Sequence, residues 1–379
     1  MTGALATDEP TDTPESIAAD AYPAALSPPV RQAIGPASIG WGVIGASQVA
    51  ARWMVPAIRQ QPPAPDSGGR ITGSWAVGLF SHDESRGRAF AADHQIPHVF
   101  VNLSDLLRHP AVHCVYIGNH PRHHAYAAMA ALAAGKHVLC EPPLALTPEQ
   151  AQDLQQVAAS HGCLLGVNHQ RRVEPAMAKL RELMLAGAIG DPLGGHVRNT
   201  SLLAPKEQTW RLQPNGGGVV LDRTLHDVDL LRFLFSAEVA SVYAESTQRI
   251  WSQAVEEEVL CHVRMAPAGP TIQLHDSFIV PHADTRLEVY GSAGTLISTH
   301  CLDDAAGGEL FLAQRGRLER IPLPEGNPYQ RMVYRFQQAV RGDVPLSATA
   351  EDGIRSLAVA QAVFRSIQLG RSVDVSRVT

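Results

Sequence analysis

The sequence predicts an α/β chain in two folded parts: a doubly wound parallel sheet, then an α+β domain with a large open, mostly antiparallel sheet. Three observations carry this. Between residues 38 and 166, short apolar runs alternate with segments of helical period. Beyond residue 170 the apolar runs lengthen and alternate with polar residues. A length of 379 residues suits two domains.

Residues 1–36, rich in Ala, Pro, Thr and Asp, are predicted to be a disordered tail, with a short helix near "PESIAADAY". "IGWGVIG" reads as a buried strand, followed by a glycine turn and the helix "QVAARWMVPAIRQ". "QQPPAPDSGGR" is a loop, "ITGSWAVGLF" a second strand and "DESRGRAFAADH" a helix. "LSDLLRHP" is a helix with Ser104 as its expected N-cap. "VHCVYIG" is a third strand, "HHAYAAMAALAAG" a helix stopped at Gly135, and "HVLCE" a fourth strand. Thr147 caps the helix "TPEQAQDLQQVAASHG", with Pro148 in its first turn, and "CLLGVN" is a fifth strand. The second part opens with the helix "PAMAKLRELMLAG". Its strands are "GGHVRNTSLLA", "EVASVYAESTQRI", "EEEVLCHVRMA", "TIQLHDSFIV", "TRLEVYGS" and "GTLISTH". Two helices, "NPYQRMVYRFQQAVRG" and "AEDGIRSLAVAQAVFRSIQLG", close the chain. The expected boundaries are residues 37–166 for the first domain and 167–379 for the second.

Composition narrows the function. A net charge of −6 with both signs scattered argues against a nucleic-acid or anionic-membrane surface. No apolar run reaches the roughly 18 residues of a spanning helix. Five dispersed cysteines without a C-x-x-C pair fit reduced thiols, and no signal peptide is visible. A cytoplasmic protein with a small-molecule substrate is expected.

The glycine turn points to a dinucleotide. Gly42, Gly45, Ser47 and Ala50 form G-x-x-G-x-S-x-x-A between strand and helix, with Ala46, Gln48 and Val49 filling the turn. There the backbone can approach a pyrophosphate, and a helix N-terminus supplies N–H donors. A turn that uses its glycines only for packing would read the same. The second strand ends at Ser81 and His82, where an Asp or Glu would hold the ribose of NAD. NADP is therefore accommodated as well as NAD; if Asp83 ends the strand, the inference reverses.

Asp222, His226 and Asp229 in "GGGVVLDRTLHDVD" stand at i, i+4 and i+7, so a regular helix puts them on one face. An Asp beside an imidazole can fix its tautomer, and the imidazole can move a proton while hydride leaves carbon. Alternatively, Asp222 caps the helix and His226 is an ordinary buried histidine. Asn168, Arg171 and Arg172 follow the fifth strand, at the edge where open α/β sheets bind ligands. Arg171 is a candidate substrate contact or an interdomain ion pair. Trp210 and Arg211 suit a loop closing over the substrate. Asn119, His120 and His124 border the cofactor edge, but the His pairs lack a third ligand and no metal is expected.

In order, "GWGVIGASQVAARWMVPAI", "AGKHVLCEPPLALT", "GGGVVLDRTLHDVDLLRFLF", "TRLEVYGSAGTL" and "EDGIRSLAVAQAVFRSIQLGRSVDV" resemble the Gfo/Idh/MocA oxidoreductases over residues 38–375. The resemblance implies a Rossmann nucleotide domain and an open-sheet domain that often mediates homo-oligomerisation. It implies NAD(P)-linked oxidation or reduction of a sugar, inositol or related polyol. It also implies that Asp222 and His226 line the substrate site, that His226 is the acid/base, and that His124 and Glu141 lie near the nicotinamide.

One position departs. In that family a Glu-Lys-Pro lysine donates a hydrogen bond to the reacting hydroxyl; here Pro142 stands there. Proline has no side-chain donor and no N–H. Losing a preorganised donor at a reacting oxygen costs about 10²–10³ in rate. The Pro142–Pro143 pair also admits a cis bond, which X-Pro bonds tolerate. Of the other lysines, Lys136 begins a strand at its far end, and Lys206 lies in a loop that could approach the site. Pro142 fits a reductase with His226 alone as proton source. It also fits an inactive accessory or regulatory protein that keeps the cofactor fold, or an NAD-assisted lyase or hydrolase.

Overall fold

The computed structural model describes residues 38–60, 73–251, 254–302 and 307–375. The expected tail and its short helix, and nearly all of "QQPPAPDSGGR", lie outside these residues.

The first sheet holds β1 (Ile39–Ile44), β2 (Ser74–Phe80), β3 (His98–Phe100), β4 (Cys114–Ile117), β5 (His137–Cys140) and β6 (Leu165–Val167). Their spatial order is β3-β2-β1-β4-β5-β6, and every pairing is parallel. Its helices are α1 (Val55–Arg59), entered through a π-helical turn at Ala50–Met54, α2 (Glu84–Asp93), α3 (Leu103–Arg108), α4 (His124–Ala133) and α5 (Pro148–His161). β1 is buried along its whole length, as a strand covered on both faces must be.

Two local expectations change. β3 adds a sixth strand; at three residues it is too short to show periodicity in sequence. Asn102, not Ser104, stands at the N-cap of α3, because the helix begins at Leu103 and takes Ser104 into its first turn. Thr147 caps α5 as expected, accepting from the Gln150 N–H at 3.3 Å.

The second sheet has nine strands: β7 (Pro192–Thr200), β8 (Val239–Thr247), β9 (Glu258–Met265), β10 (Thr271–Ser277), β11 (Arg286–Gly291), β12 (Thr295–Thr299), β13 (Glu309–Gln314), β14 (Arg317–Ile321) and β15 (Val373–Asp374). All pairings are antiparallel except β7 with β10. β9 shows why one face stays open. Val259, Cys261, Val263 and Met265 point into the core, while Leu260 on the other face is 50% exposed. α6 (Pro175–Leu185), α7 (Leu225–Phe235) and α9 (Ala350–Leu369) pack together on the covered side.

The last helices tie the two parts together. α8 (Pro328–Arg341) returns to the first sheet, burying Tyr329, Met332, Val333 and Phe336 against Ile39, Trp41 and Met54. Phe336 lies 5.5 Å from Trp41, centroid to centroid. Each such side chain contributes about 1.5–3 kcal/mol. Just after it, Thr349 bridges to Gly166 in β6. The edge of the first sheet is thereby fixed against the helices of the second.

Candidate active site

The order of the first sheet reverses between β1 and β4, so the carboxyl ends of these strands open a crevice there. Gly45 leaves β1 with φ +102°, and a Cβ at this position would stand 2.7 Å from the Asn119 backbone. Only glycine fits that turn. Ser47 Oγ accepts from the Ala50 N–H at 3.2 Å and fixes the helix start beside the crevice. Asn119 Oδ1 is buried there without a partner. A tight turn, a helix N-terminus and an unmet polar atom fit the pyrophosphate and amide of a dinucleotide.

β2 ends on Phe80, followed by Ser81 and His82, with the nearest acids at Asp83 and Glu84. The Ser81 hydroxyl donates to the Asp83 carbonyl at 2.8 Å, and the Asp83 carboxylate is occupied capping α2 at the Arg86 N–H, 2.9 Å away. Arg86 reaches back and donates to the Ala46 carbonyl at 2.9 Å. His82 packs edge-on to Phe80 and lies 6.3 Å from His123.

Two loops form the next wall. His124 is buried with its ring nitrogens 2.8 Å from the Pro143 carbonyl and 2.9 Å from that of Asn119. It braces the loop after β4 against the loop after β5, and burial lowers its pKa despite both carbonyls. His120 faces Trp210 at 5.7 Å; burial, then Arg122 and His123, push its pKa down to about 4. Glu141 accepts from the Tyr116 hydroxyl at 2.9 Å and from Asn168 Nδ2 at 2.5 Å. Pro142 is buried, and its bond to Pro143 is cis. Lys136 does not stand beside it. Lys136 Nζ donates to the Val112 carbonyl at 2.7 Å, at the far end of the strands. The carbonyl of Lys206 accepts from Gln48 Nε2 at 3.2 Å, with the side chain exposed.

The opposite wall comes from the second part. Gly218 has φ +95°, and a Cβ there would lie 2.3 Å from Glu256 Oε1. A π-helical turn, Val220–Thr224, then leads into α7. Both Asp222 oxygens accept from Arg211 Nε at 3.1 Å, and the Arg211 guanidinium stacks 4.7 Å over Trp210. His226 is half-buried; its Nδ1 is buried without a partner, and no hydrogen bond joins it to Asp222. Burial, then Arg171 and His169, hold its pKa well down, with Asp222 opposing.

Asp222, in the π-helical turn, and Asp229, in α7, both bring negative charge near His226. Asp229 also accepts two bonds from Arg172, at 2.8 and 2.6 Å, and Arg172 also reaches Asp352 at 2.8 Å. Arg171 pairs with Asp227 and donates to the Leu302 carbonyl at 3.0 Å, so its guanidinium joins elements together. Asp227 also accepts from Asn199 at 2.9 Å. Beside it the Asp276 carboxyl is pushed well up, first by burial and then by Asp227. Sequence reasoning missed Asn199, Asp227, Asp276 and His169. Only His169 left a local signal, directly after Asn168 in "VNHQRR". Its ring stands 5.6 Å from that of His226, nearly perpendicular.

A parallel sheet with a glycine turn at its switch point is the arrangement of a dinucleotide-binding domain. Residues 39–169 match the model of the oxidoreductase family with an NAD-binding Rossmann fold, and residues 177–297 match the Gfo/Idh/MocA C-terminal domain. A 1,5-anhydro-D-fructose reductase of Ensifer adhaerens is 35% identical over 88% of this chain and 98% of its own length. The chain belongs to the Gfo/Idh/MocA oxidoreductase family, and its cofactor is NAD or NADP. An aldose–aldose oxidoreductase of Caulobacter crescentus, complexed with glycerol, shares the fold at TM-score 0.79 and 20% identity, over 89% of this chain and 99% of that one. A 3-ketoreductase variant of Actinomadura kijaniata, in complex with TDP-benzene and NADP, does so at 0.76 and 24%, over 87% and 98%. Among the described residues no helix is long and apolar enough to cross a membrane.

Proposed function

We propose that this protein reduces a cyclic sugar-like ketone, or runs the reverse oxidation, with His226 as the acid/base. The observation that carries this is the continuity of the two walls. His226 stands 5.6 Å from His169; the residue before His169, Asn168, bonds Glu141, which precedes Pro142. One imidazole is thus held within two side chains of the position beside the nicotinamide. The cofactor, when bound, supplies or accepts hydride at its nicotinamide ring. Gly42, Gly45 and the Ala46–Val49 turn hold the pyrophosphate, and Asn119, His120, His124 and Glu141 shape the nicotinamide end.

Ser81, His82 and Arg86 at the ribose end favour NADP. The strand end itself carries Ser81 and His82, neither of which is an anion, and Asp83 is turned to cap α2. Asn168, Arg171, Trp210, Arg211 and Asp222 line the substrate side. Arg171 acts there through its charge, since Asp227 and Leu302 already hold its guanidinium. Pro142 leaves the reacting oxygen without a lysine donor, so the proton comes from His226 alone. The substrate class follows the Ensifer relative: 1,5-anhydro-D-fructose, or a ketone of similar shape. Residues 37–166 serve as the dinucleotide domain and 167–379 as the substrate domain. The open sheet face, with Leu260 half-exposed, pairs with a second copy in the cytoplasm.

The test is loss of NADPH absorbance with 1,5-anhydro-D-fructose, other cyclic ketoses and inosones. Turnover is expected, with NADPH preferred over NADH. Absence of turnover across the panel would remove the reading. Pro142 itself favours a second reading, an accessory protein that binds cofactor without reacting. The two diverge on Pro142→Lys: a reductase rises from measurable turnover by up to about 10²–10³ in kcat, whereas an accessory protein that has lost catalysis moves from none to some.

A further inference from the structure

His169 sits directly after Asn168, past the carboxyl end of β6, with 1% of its surface exposed. Neither of its ring nitrogens has a hydrogen-bond partner, and His226 Nδ1 has none either. Three orphan nitrogens in two adjacent rings are unusual, because each costs about 1–3 kcal/mol when left unmet. The centroids are 5.6 Å apart at 85°, a separation at which ring nitrogens turned toward each other come to hydrogen-bond range. On the far side, His169 Nε2 lies 3.5 Å from Asp229 Oδ1, at an angle that makes no bond. Asp229 is itself held by Arg172 at 2.6 Å and Arg232 at 3.5 Å.

We propose that His169 is a positioning residue for His226, linking it to Asp229 and setting it in the Nδ1–H tautomer with Nε2 open to the cleft. This rests on His226 being the acid/base. One proton count satisfies all three nitrogens. The Asp229 carboxylate only accepts, so His169 Nε2 carries the hydrogen. A neutral imidazole has one N–H, so His169 Nδ1 accepts. His226 Nδ1 must then donate, which leaves the Nε2 lone pair for the substrate. In oxidation the carbinol C–H leaves as hydride to the nicotinamide, the O–H proton passes to Nε2, and C=O forms. His226 becomes imidazolium, and its Nδ1–H bond to His169 strengthens. Reduction runs this in reverse, with Nε2–H protonating the carbonyl oxygen.

Charges of both signs face the two rings. The His226 ring meets Arg171 from the turn after β6, Asp222 from the π-helical turn, and Asp229 from α7. His169 meets Arg171, Arg172 and Arg232, with Asp352 from α9 opposing and Asp229 3.5 Å away. Burial and these arginines hold His169 neutral while its partner cycles.

The experiment is long-range ¹H–¹⁵N NMR of ¹⁵N-histidine-labelled full-length protein at pH 8, with His226 assigned from the spectrum of His226→Gln. The parent is expected to show His226 protonated at Nδ1, and His169→Phe to lose that preference. With NADPH and 1,5-anhydro-D-fructose, His169→Phe should lower kcat about 10–100-fold. The limb on which reduction falls with rising pH should move to lower pH. His169→Asn, whose amide still offers an acceptor and a donor, should recover much of the loss. Thermal unfolding checks that each variant is folded. An Nε2–H tautomer in the parent, or an unmoved pH limb in folded His169→Phe, would overturn the proposal. A tautomer that follows His169 while His226→Ala keeps full turnover would leave the pairing standing and sink the acid/base reading instead.

Discussion

The two walls of the cleft are built differently. On the dinucleotide side polar groups are mostly tied to nearby backbone: Ser47 to Ala50, Asp83 to Arg86, His124 to Pro143 and Asn119. On the substrate side the ties run between distant elements: Arg172 to Asp229 and Asp352, Arg171 to Asp227, Asn168 to Glu141. The unmet nitrogens of His169 and His226 sit on that side. The first wall is set by turns and by loop-to-loop bonds within one sheet's carboxyl edge. The second is an assembly whose chemistry depends on tertiary packing.

Breaking each wall separately sharpens the contrast. His226→Ala should cost about 10²–10⁴ in kcat while leaving NADPH affinity unchanged, read by steady-state kinetics and fluorescence titration. Gly45→Ala should do the opposite. Its Cβ would stand 2.7 Å from the Asn119 backbone at φ +102°, a strain of about 1–3 kcal/mol. That weakens NADPH about tenfold or more and spares the His226 tautomer. Arg86→Ala should narrow the preference for NADPH over NADH by a few-fold, measured as the ratio of kcat/KM values.

The smallest effect is on stability. Burial lowers the pKa of His124, His169 and His226 in the folded state. The unfolded chain then binds more protons below about pH 6.5, so stability is full above that pH and falls as pH drops through it. Urea midpoints at pH 8 and pH 5.5 should show this, and His169→Phe should flatten the slope. A midpoint independent of pH would contradict the burial of these rings.

The same contrast explains what could be read in the sequence. Strand and helix positions of the first sheet, the glycine turn and the Thr147 cap follow from neighbours within four residues, and so were legible. β3 was missed because three residues show no period, and the hairpin of β13 and β14 because its strands lack clean alternation. The π-helical turn before α7 leaves no mark in composition. Asp227 and Asp276, like His169 and His226, lie far apart in sequence, and each pair meets only in the folded chain.

The central claim is that one imidazole of α7 faces the reactive end of the dinucleotide. A crystal structure of the protein with NADPH measures this directly. It should place the nicotinamide against the Glu141–Pro143 turn, with its C4 facing His226 Nε2 across a space one sugar ring wide. A nicotinamide turned away from α7, or a crevice filled by the Trp210 loop with NADPH bound elsewhere, would contradict the account.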